Sequence, residues 1–164
     1  MKFSAAEKVE YQKLESAAKH YYVNLRRKEE GQINRHYLKL IQKLMPQRVA
    51  CAGGKYPLPE SLPEHSGKRG DGVKKQIQYS QFAFTSKLNT LVAELKKIRD
   101  SDPASKCLIF SQFTPTLEWL QAELPRHGFQ FRTLKGDMTM KQRAKALHDF
   151  QSDPPTTVFL LSMR

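Results

Sequence analysis

Cysteine is nearly absent: Cys51 and Cys107 are the two in 164 residues, too few for a disulfide framework or a cysteine-rich zinc site. Long apolar runs are missing as well. No stretch approaches the ~20 apolar residues that a helix needs to cross a bilayer. The opening MKFSAAEKVEYQ lacks the apolar core of a secretory leader. The expectation is an intracellular protein with no membrane partner. Nor is there a G-x-x-x-x-G-K-[ST] loop to cradle a triphosphate, or a D-E-x-H metal motif. The isolated chain is expected to bind no cofactor and to be catalytically silent.

What is present is ordinary for a globular domain: 39% apolar and 27% charged residues. The balance is basic, with 28 Lys and Arg against 16 Asp and Glu, a net charge of +12. Residues 1–84 carry +8 of this and residues 85–164 carry +4. Such a balance attracts polyanions at long range, and equally suits a solvated, Lys-rich surface.

The last third carries the clearest pattern. Cys107–Phe110, Phe129–Leu134 and Thr157–Leu161 are short apolar runs of strand length. Between them, Thr116–Arg126 places Leu117, Leu120 and Leu124 at helical spacing, and Lys141–Gln151 places Ala144, Leu147 and Phe150 on one side. Strand, helix, strand, helix, strand predicts a parallel sheet with crossover helices, covered on both faces. Ahead of it, Leu88, Leu91, Val92, Leu95 and Ile98 mark one more helix, with Thr85 or Ser86 as its cap.

These residues also carry a resemblance. KCLIFSQFTPTLEWLQ resembles motif IV of the second RecA-like lobe of SWI/SNF-type helicase-like ATPases. LKGDMTMKQRAKALHDFQSDP is similar to the motif that follows, roughly L-x-G-x-[MT]-x-x-x-x-R…F, and VFLLSMR to the first half of motif V. Ser86, Lys87, Leu91 and Leu95 resemble the helix preceding motif IV. The fold class implied is α/β: a partial RecA-like parallel sheet with flanking helices, preceded by an α-helical segment. Within the family, the wording of the two longer motifs resembles the RING-bearing, DNA-repair branch, although this sequence has no Cys/His array for a RING.

The chain divides into three in this reading. Residues 1–50 form an α-helical entry segment, 51–84 a basic Pro/Gly-rich linker, and 85–164 the first part of the helicase C-terminal domain, truncated within motif V. Ser4 and Glu7 form a capping box, Leu14, Tyr21 and Leu25 continue a stripe, and Gly31 stops the helix. Ile33, Tyr37, Leu38, Ile41 and Leu44 mark a second helix that Pro46 is expected to end. Tyr11, Tyr21, Tyr22, Arg26, Arg27, Lys28, Arg35, His36 and Tyr37 interleave rings with cations. That pattern suits a nucleic-acid surface; the place of the tyrosines on or beside the apolar stripes favours packing between helices. Cys51 in RVACAGG lacks the His-Pro that follows it in the family and is given no ligand role. Lys68, Arg69, Lys74 and Lys75 form a basic cluster inside the linker.

In a RecA-like fold, chemistry occurs at the carboxyl ends of the strands. The resemblance assigns those loops to a tracked DNA strand, which makes Ser111, Gln112, Thr114, Lys135, Gly136, Ser162 and Arg164 the candidate DNA-binding residues. Hydroxyls, amides and cations of this kind grip a backbone without reading bases. Asp137 and Thr139 serve turn and cap chemistry equally well, and Thr139 with Gln142 makes a second capping box whose helix N-terminus suits a phosphate. The implied parent is a nuclear DNA-dependent ATPase or translocase of chromatin remodelling or DNA repair. It would use ATP and Mg2+ held mainly by a first RecA-like lobe, with double-stranded or nucleosomal DNA and that first lobe as partners. The alternatives are a non-catalytic nucleic-acid-binding scaffold and the second lobe of an RNA helicase; FSQFT and KGDM favour the SWI/SNF side.

Overall fold

Ser4 turns the chain into its first helix by the reciprocal bonds the sequence predicts. Its N–H donates to Glu7 Oε2 at 2.8 Å and its hydroxyl accepts the Glu7 N–H at 3.2 Å. The computed structural model describes residues 2–28, 37–59, 61–62 and 76–163. They form two compact units, residues 2–84 and 85–164.

In the first unit, α1 spans Ala5–Lys28 and α2 spans Tyr37–Ala52. The predicted stop at Gly31, and Ile33, Arg35 and His36, lie outside the described residues. Pro46 does not end α2 as expected; the helix runs on for six more residues. A proline forfeits one helical hydrogen bond, but the turns beyond it carry Val49 and Ala50, 2% and 1% exposed, the unit's best-buried aliphatics. Burying them offsets the lost bond. Gly53 (φ 97°) then stops the helix in the left-handed region, its N–H donating to the carbonyls of Val49 and Ala50.

The stretch expected to be a linker is partly sheet. β1 (Gly54–Pro57) pairs antiparallel with β2 (Tyr79–Phe84), with a register shift between Lys55 and Pro57. The sequence hides this pairing because Pro57, Pro59 and the glycines read as breakers. Aromatics hold the unit together: Phe84, 1% exposed, has Phe3, Tyr56 and Phe82 at ring distances of 5.5, 6.1 and 5.3 Å. Packing thus claims some of the rings, and Tyr11 and Tyr21 are half-buried; Tyr22 and Tyr37 stay exposed. The basic cluster Lys68, Arg69, Lys74 and Lys75 lies outside the described residues.

The second unit is the expected α/β layer. Helix α3 spans Ser86–Ser101, β3 Cys107–Ser111, α4 Thr114–Glu123, β4 Gln130–Leu134, α5 Met140–Ser152 and β5 Thr156–Ser162. A 3-10 turn, Leu124–His127, follows α4 and closes on Gly128 at φ 76°. The three strands are all parallel in the order β3-β5-β4, so the last strand is the central one. Val158, Phe159 and Leu160 are at most 2% exposed. One face buries Val158 and Leu160 with Leu88, Val92 and Leu95 of α3 and Leu117, Leu120 and Leu124 of the α4 segment. Each fully buried leucine contributes about 1.5–3 kcal/mol.

On the other face α5 packs differently from expectation. Ala146 is its buried residue and Phe150 stacks on Phe159 at 4.9 Å, while Ala144 and Leu147 face solvent. The inward face also carries Asp149, which bonds Arg132 of β4 at 3.2 Å; Arg132 reaches Asp153 at 3.3 Å. A partly polar inner face defeats an apolar-periodicity reading. Lys106 caps the far end of α5, donating to the carbonyls of Phe150 and Gln151.

An exposed apolar patch beside Val158–Leu161 is expected from the sequence. It lies there, on the neighbouring edge strand β3, whose Leu108 and Phe110 stand in register with Phe159 and Leu161 and are 53% and 58% exposed. β5 itself is central, with neighbours on both edges, so the exposure falls on β3.

Two outcomes follow from this packing. Phe110→Lys places a charge on the open edge of β3 and should raise several-fold the concentration at which the chain self-associates, with unchanged circular dichroism. Light scattering checks this; equal association would show that the β3 edge is not the contact. The second concerns Tyr56, whose hydroxyl donates to Glu10 Oε1 at 2.7 Å. Burial first, and then that carboxylate, push its phenol up to about 12. A folded pKa above the unfolded value of about 10 contributes stability that is complete below pH ~10 and is lost as pH rises toward about 12. Tyr56→Phe should therefore cost about 1.5–3 kcal/mol at pH 7.5, the range for a bond to a charged group. In urea melts, that gap should narrow as pH is raised beyond 10; a gap constant to pH 11.5 would contradict the assignment.

Candidate nucleic-acid interface

Parallel strands point one way, so the loops leaving β3, β4 and β5 emerge at one edge of the sheet. Ser111 and Ser162 sit opposite each other in register, and the Met163 N–H donates to the Ser111 carbonyl at 3.1 Å. This brings together residues up to 52 positions apart in the chain.

Four of the seven predicted site residues line one cavity of about 260 Å3: Thr114, Lys135, Gly136 and Ser162. Leu117, Glu118 and Asp137 complete the lining. Thr114 is the first residue of α4, Lys135 and Gly136 leave β4, and Ser162 ends β5, so all three loops contribute. Of the other three, Ser111 and Gln112 fall elsewhere. The Ser111 hydroxyl accepts the Phe113 N–H at 3.1 Å and is taken up by the turn into α4. Gln112 is exposed on that turn and does not line the cavity. Arg164 lies outside the described residues.

The electrostatics of the cavity are not those of a simple basic groove. One ammonium, Lys135, meets two carboxylates, Glu118 and Asp137. Lys135 Nζ stands 3.8 Å from Glu118 Oε1, a loose pair with the lysine half-buried and Glu118 57% exposed. An ion pair of this length and exposure contributes at most about 1 kcal/mol. Sequence reading singled out Lys135 and missed Glu118. The signal was available, because Glu118 stands four residues after Thr114 and therefore on the same side of α4.

The capping box at α5 is as expected. Thr139 Oγ1 accepts the Gln142 N–H at 3.3 Å, and the Gln142 side chain accepts the Thr139 N–H at 2.8 Å. Those two amides are thereby satisfied within the chain, which removes two of the donors that a phosphate at this helix terminus would use. No cluster of three or more His, Cys, Asp or Glu suited to a metal ion occurs among the described residues, and no described helix is long and apolar enough to cross a membrane.

The model of the helicase conserved C-terminal domain matches residues 86–164. Over 108 residues, 66% of this chain, the sequence is 32% identical to the ATP-dependent helicase rhp16 of Schizosaccharomyces pombe, covering 12% of that protein. Over 80 residues, 49% of this chain, it is 39% identical to the DNA repair protein RAD5A of Arabidopsis thaliana, covering 8% of it. The human helicase-like transcription factor is 32% identical over 108 residues, 65% of this chain and 10% of that protein. The chain thus spans about a tenth of the length of these relatives.

Among solved structures, the Sulfolobus solfataricus SWI2/SNF2 ATPase C-terminal domain superposes with a TM-score of 0.61 at 14% identity, over 99% of this chain and 60% of that one. The C-terminal part of the Fun30 ATPase domain gives 0.59 at 18%, over 98% and 65%. At those identities the likeness is one of fold, and the fold is the RecA-like C-terminal ATPase domain. Sequence match, relatives and fold agree: residues 86–164 match the helicase conserved C-terminal domain, and the chain is similar to the C-terminal lobe of SWI/SNF-type helicases.

Proposed function

We propose that this chain supplies DNA-backbone contacts to a nuclear, DNA-repair-associated ATPase of the SWI/SNF type, through the loops that follow β3, β4 and β5. The observation that carries the reading is the cavity shared by Thr114, Lys135, Gly136 and Ser162, built from three loops at the carboxyl edge of a parallel sheet. Relatives named for DNA repair and transcription support the setting and the nucleus as compartment. The partners in this reading are double-stranded DNA, nucleosomal DNA included, and a first RecA-like lobe. ATP and Mg2+ belong to that other lobe. The residues of this chain do not fit them: its sequence has no glycine-rich phosphate loop ending in Lys-Ser or Lys-Thr, so no catalytic step is assigned here.

The cavity's carboxylates shape how DNA is held. A phosphate buried among Glu118 and Asp137 would be repelled, so it is met at the rim, by Lys135 and by the hydroxyls of Thr114 and Ser162. The net charge of +12 supplies the long-range attraction, and Glu118 opposes it locally by competing for Lys135.

Binding of the whole chain to a fluorescent duplex at low salt tests this. Glu118→Gln removes the competitor and a repulsive charge, and should tighten binding about two- to fivefold, the scale of one screened charge. Lys135→Gln should weaken binding and lower the slope of log K against log salt by about one contact. Should Glu118→Gln leave affinity unchanged and Lys135→Gln keep the slope, the strand-edge loops are not where the backbone is held. Purified chain with ATP, magnesium and DNA should release no phosphate above background; turnover that copurifies with the chain would overturn the division of labour between the lobes.

A further inference from the structure

The loop between β4 and α5 is shaped by a side chain that does not line the cavity. Arg143, half-buried in the first turns of α5, donates from Nη2 to the Gly136 carbonyl at 2.9 Å and from Nε to the Met138 carbonyl at 3.1 Å. Its own backbone N–H donates to the Thr139 carbonyl at 3.0 Å. Within the loop, the Met138 N–H donates to the Lys135 carbonyl at 3.3 Å and the Lys135 N–H approaches Met138 Sδ at 3.2 Å. Four of the five carbonyls from Lys135 to Thr139 are thus taken up inside the turn, three of them by Arg143. The Gly136 and Asp137 amides have no acceptor among the described residues.

We propose that Arg143 is the positioning residue of this loop, holding its carbonyls toward α5 so that Lys135 and Gly136 line the cavity and the neighbouring amides stay available to an anion. The inference rests on reading that cavity as the backbone-contact site. The physical requirement is specific to arginine. A planar fork spans two carbonyls in fixed geometry, whereas a lysine ammonium supplies the same charge without the fork. It also turns negative carbonyl dipoles away from where a phosphate would sit, which a bare positive charge at a distance does not accomplish. Gly136 fits the same demand, for its bare backbone permits the close approach of a ligand.

An arginine beside a DNA site is ordinarily taken for a phosphate contact, and the two roles separate experimentally. In the whole chain, Arg143→Lys and Arg143→Ala are compared by amide hydrogen exchange and by duplex binding. A positioning role predicts faster exchange at Gly136, Asp137 and Met138 in both variants, with the β3 and β5 amides still protected. It also predicts about tenfold weaker DNA binding in both, although Arg143→Lys keeps the charge. Guanidinium ion should restore part of the binding of Arg143→Ala beyond a sodium control of equal ionic strength. Unchanged loop exchange in Arg143→Lys, or wild-type DNA affinity in that variant, overturns the proposal. If the unsubstituted chain fails to bind DNA, the exchange data still decide the role of Arg143, and it is the cavity reading that falls.

Discussion

A parallel strand with partners on both edges and helices on both faces excludes water from its middle, and Val158–Leu160 of β5 are in that position. The rest of the second unit depends on it. Val158 and Leu160 seat α3 and the α4 segment on one side, and Phe159 seats α5 through Phe150 on the other. Because β5 pairs in parallel with both neighbours, the ends of all three strands meet at one edge. The site is a consequence of the pairing: Thr114, Lys135 and Ser162 come together because Ser111 is in register with Ser162, and Leu134 with Leu161. The open edge of β3, with Leu108 and Phe110 exposed, is the other consequence.

Charge acts on two length scales in this molecule. The excess of +12 acts beyond contact distance and brings a polyanion near without selecting where it docks. Within the cavity the balance reverses, with Glu118 and Asp137 against Lys135. On the proposed reading, local selectivity rests on hydrogen-bond donors and on the shape of the loop, whose carbonyls bond to Arg143 beside the Thr139–Gln142 capping box. A surface that attracts at a distance and restricts binding close up suits backbone contacts that must form and release.

How much of this was legible in the sequence varies with the kind of signal. Both capping boxes, the leucines of α4 and the alternation of strands and helices follow from local rules, and each is found where expected. Signals that depend on tertiary packing were misread. Pro46 reads as a stop, yet burial of Val49 and Ala50 carries α2 past it. Pro57 and the glycines read as a linker, yet β1 and β2 pair across it. The strand order could not be read at all, because nothing in Thr156–Ser162 announces that the last strand lies in the middle. For the site, residue types named the loops, but only the turn geometry shows that Ser111 is spent on Phe113 and that Glu118 joins Lys135.

The central claim is that DNA is met by three loops at the carboxyl edge of this sheet. The most direct measurement is a titration of the 15N-labelled chain with a short DNA duplex, followed by amide chemical shifts. The account predicts the largest changes at Thr114, Lys135–Asp137 and Ser162–Met163, with the opposite end of the sheet, Lys106 and Thr156, unmoved. Changes confined to residues 63–75, with the strand-end amides unaffected, would contradict it and leave the basic segment as the DNA contact.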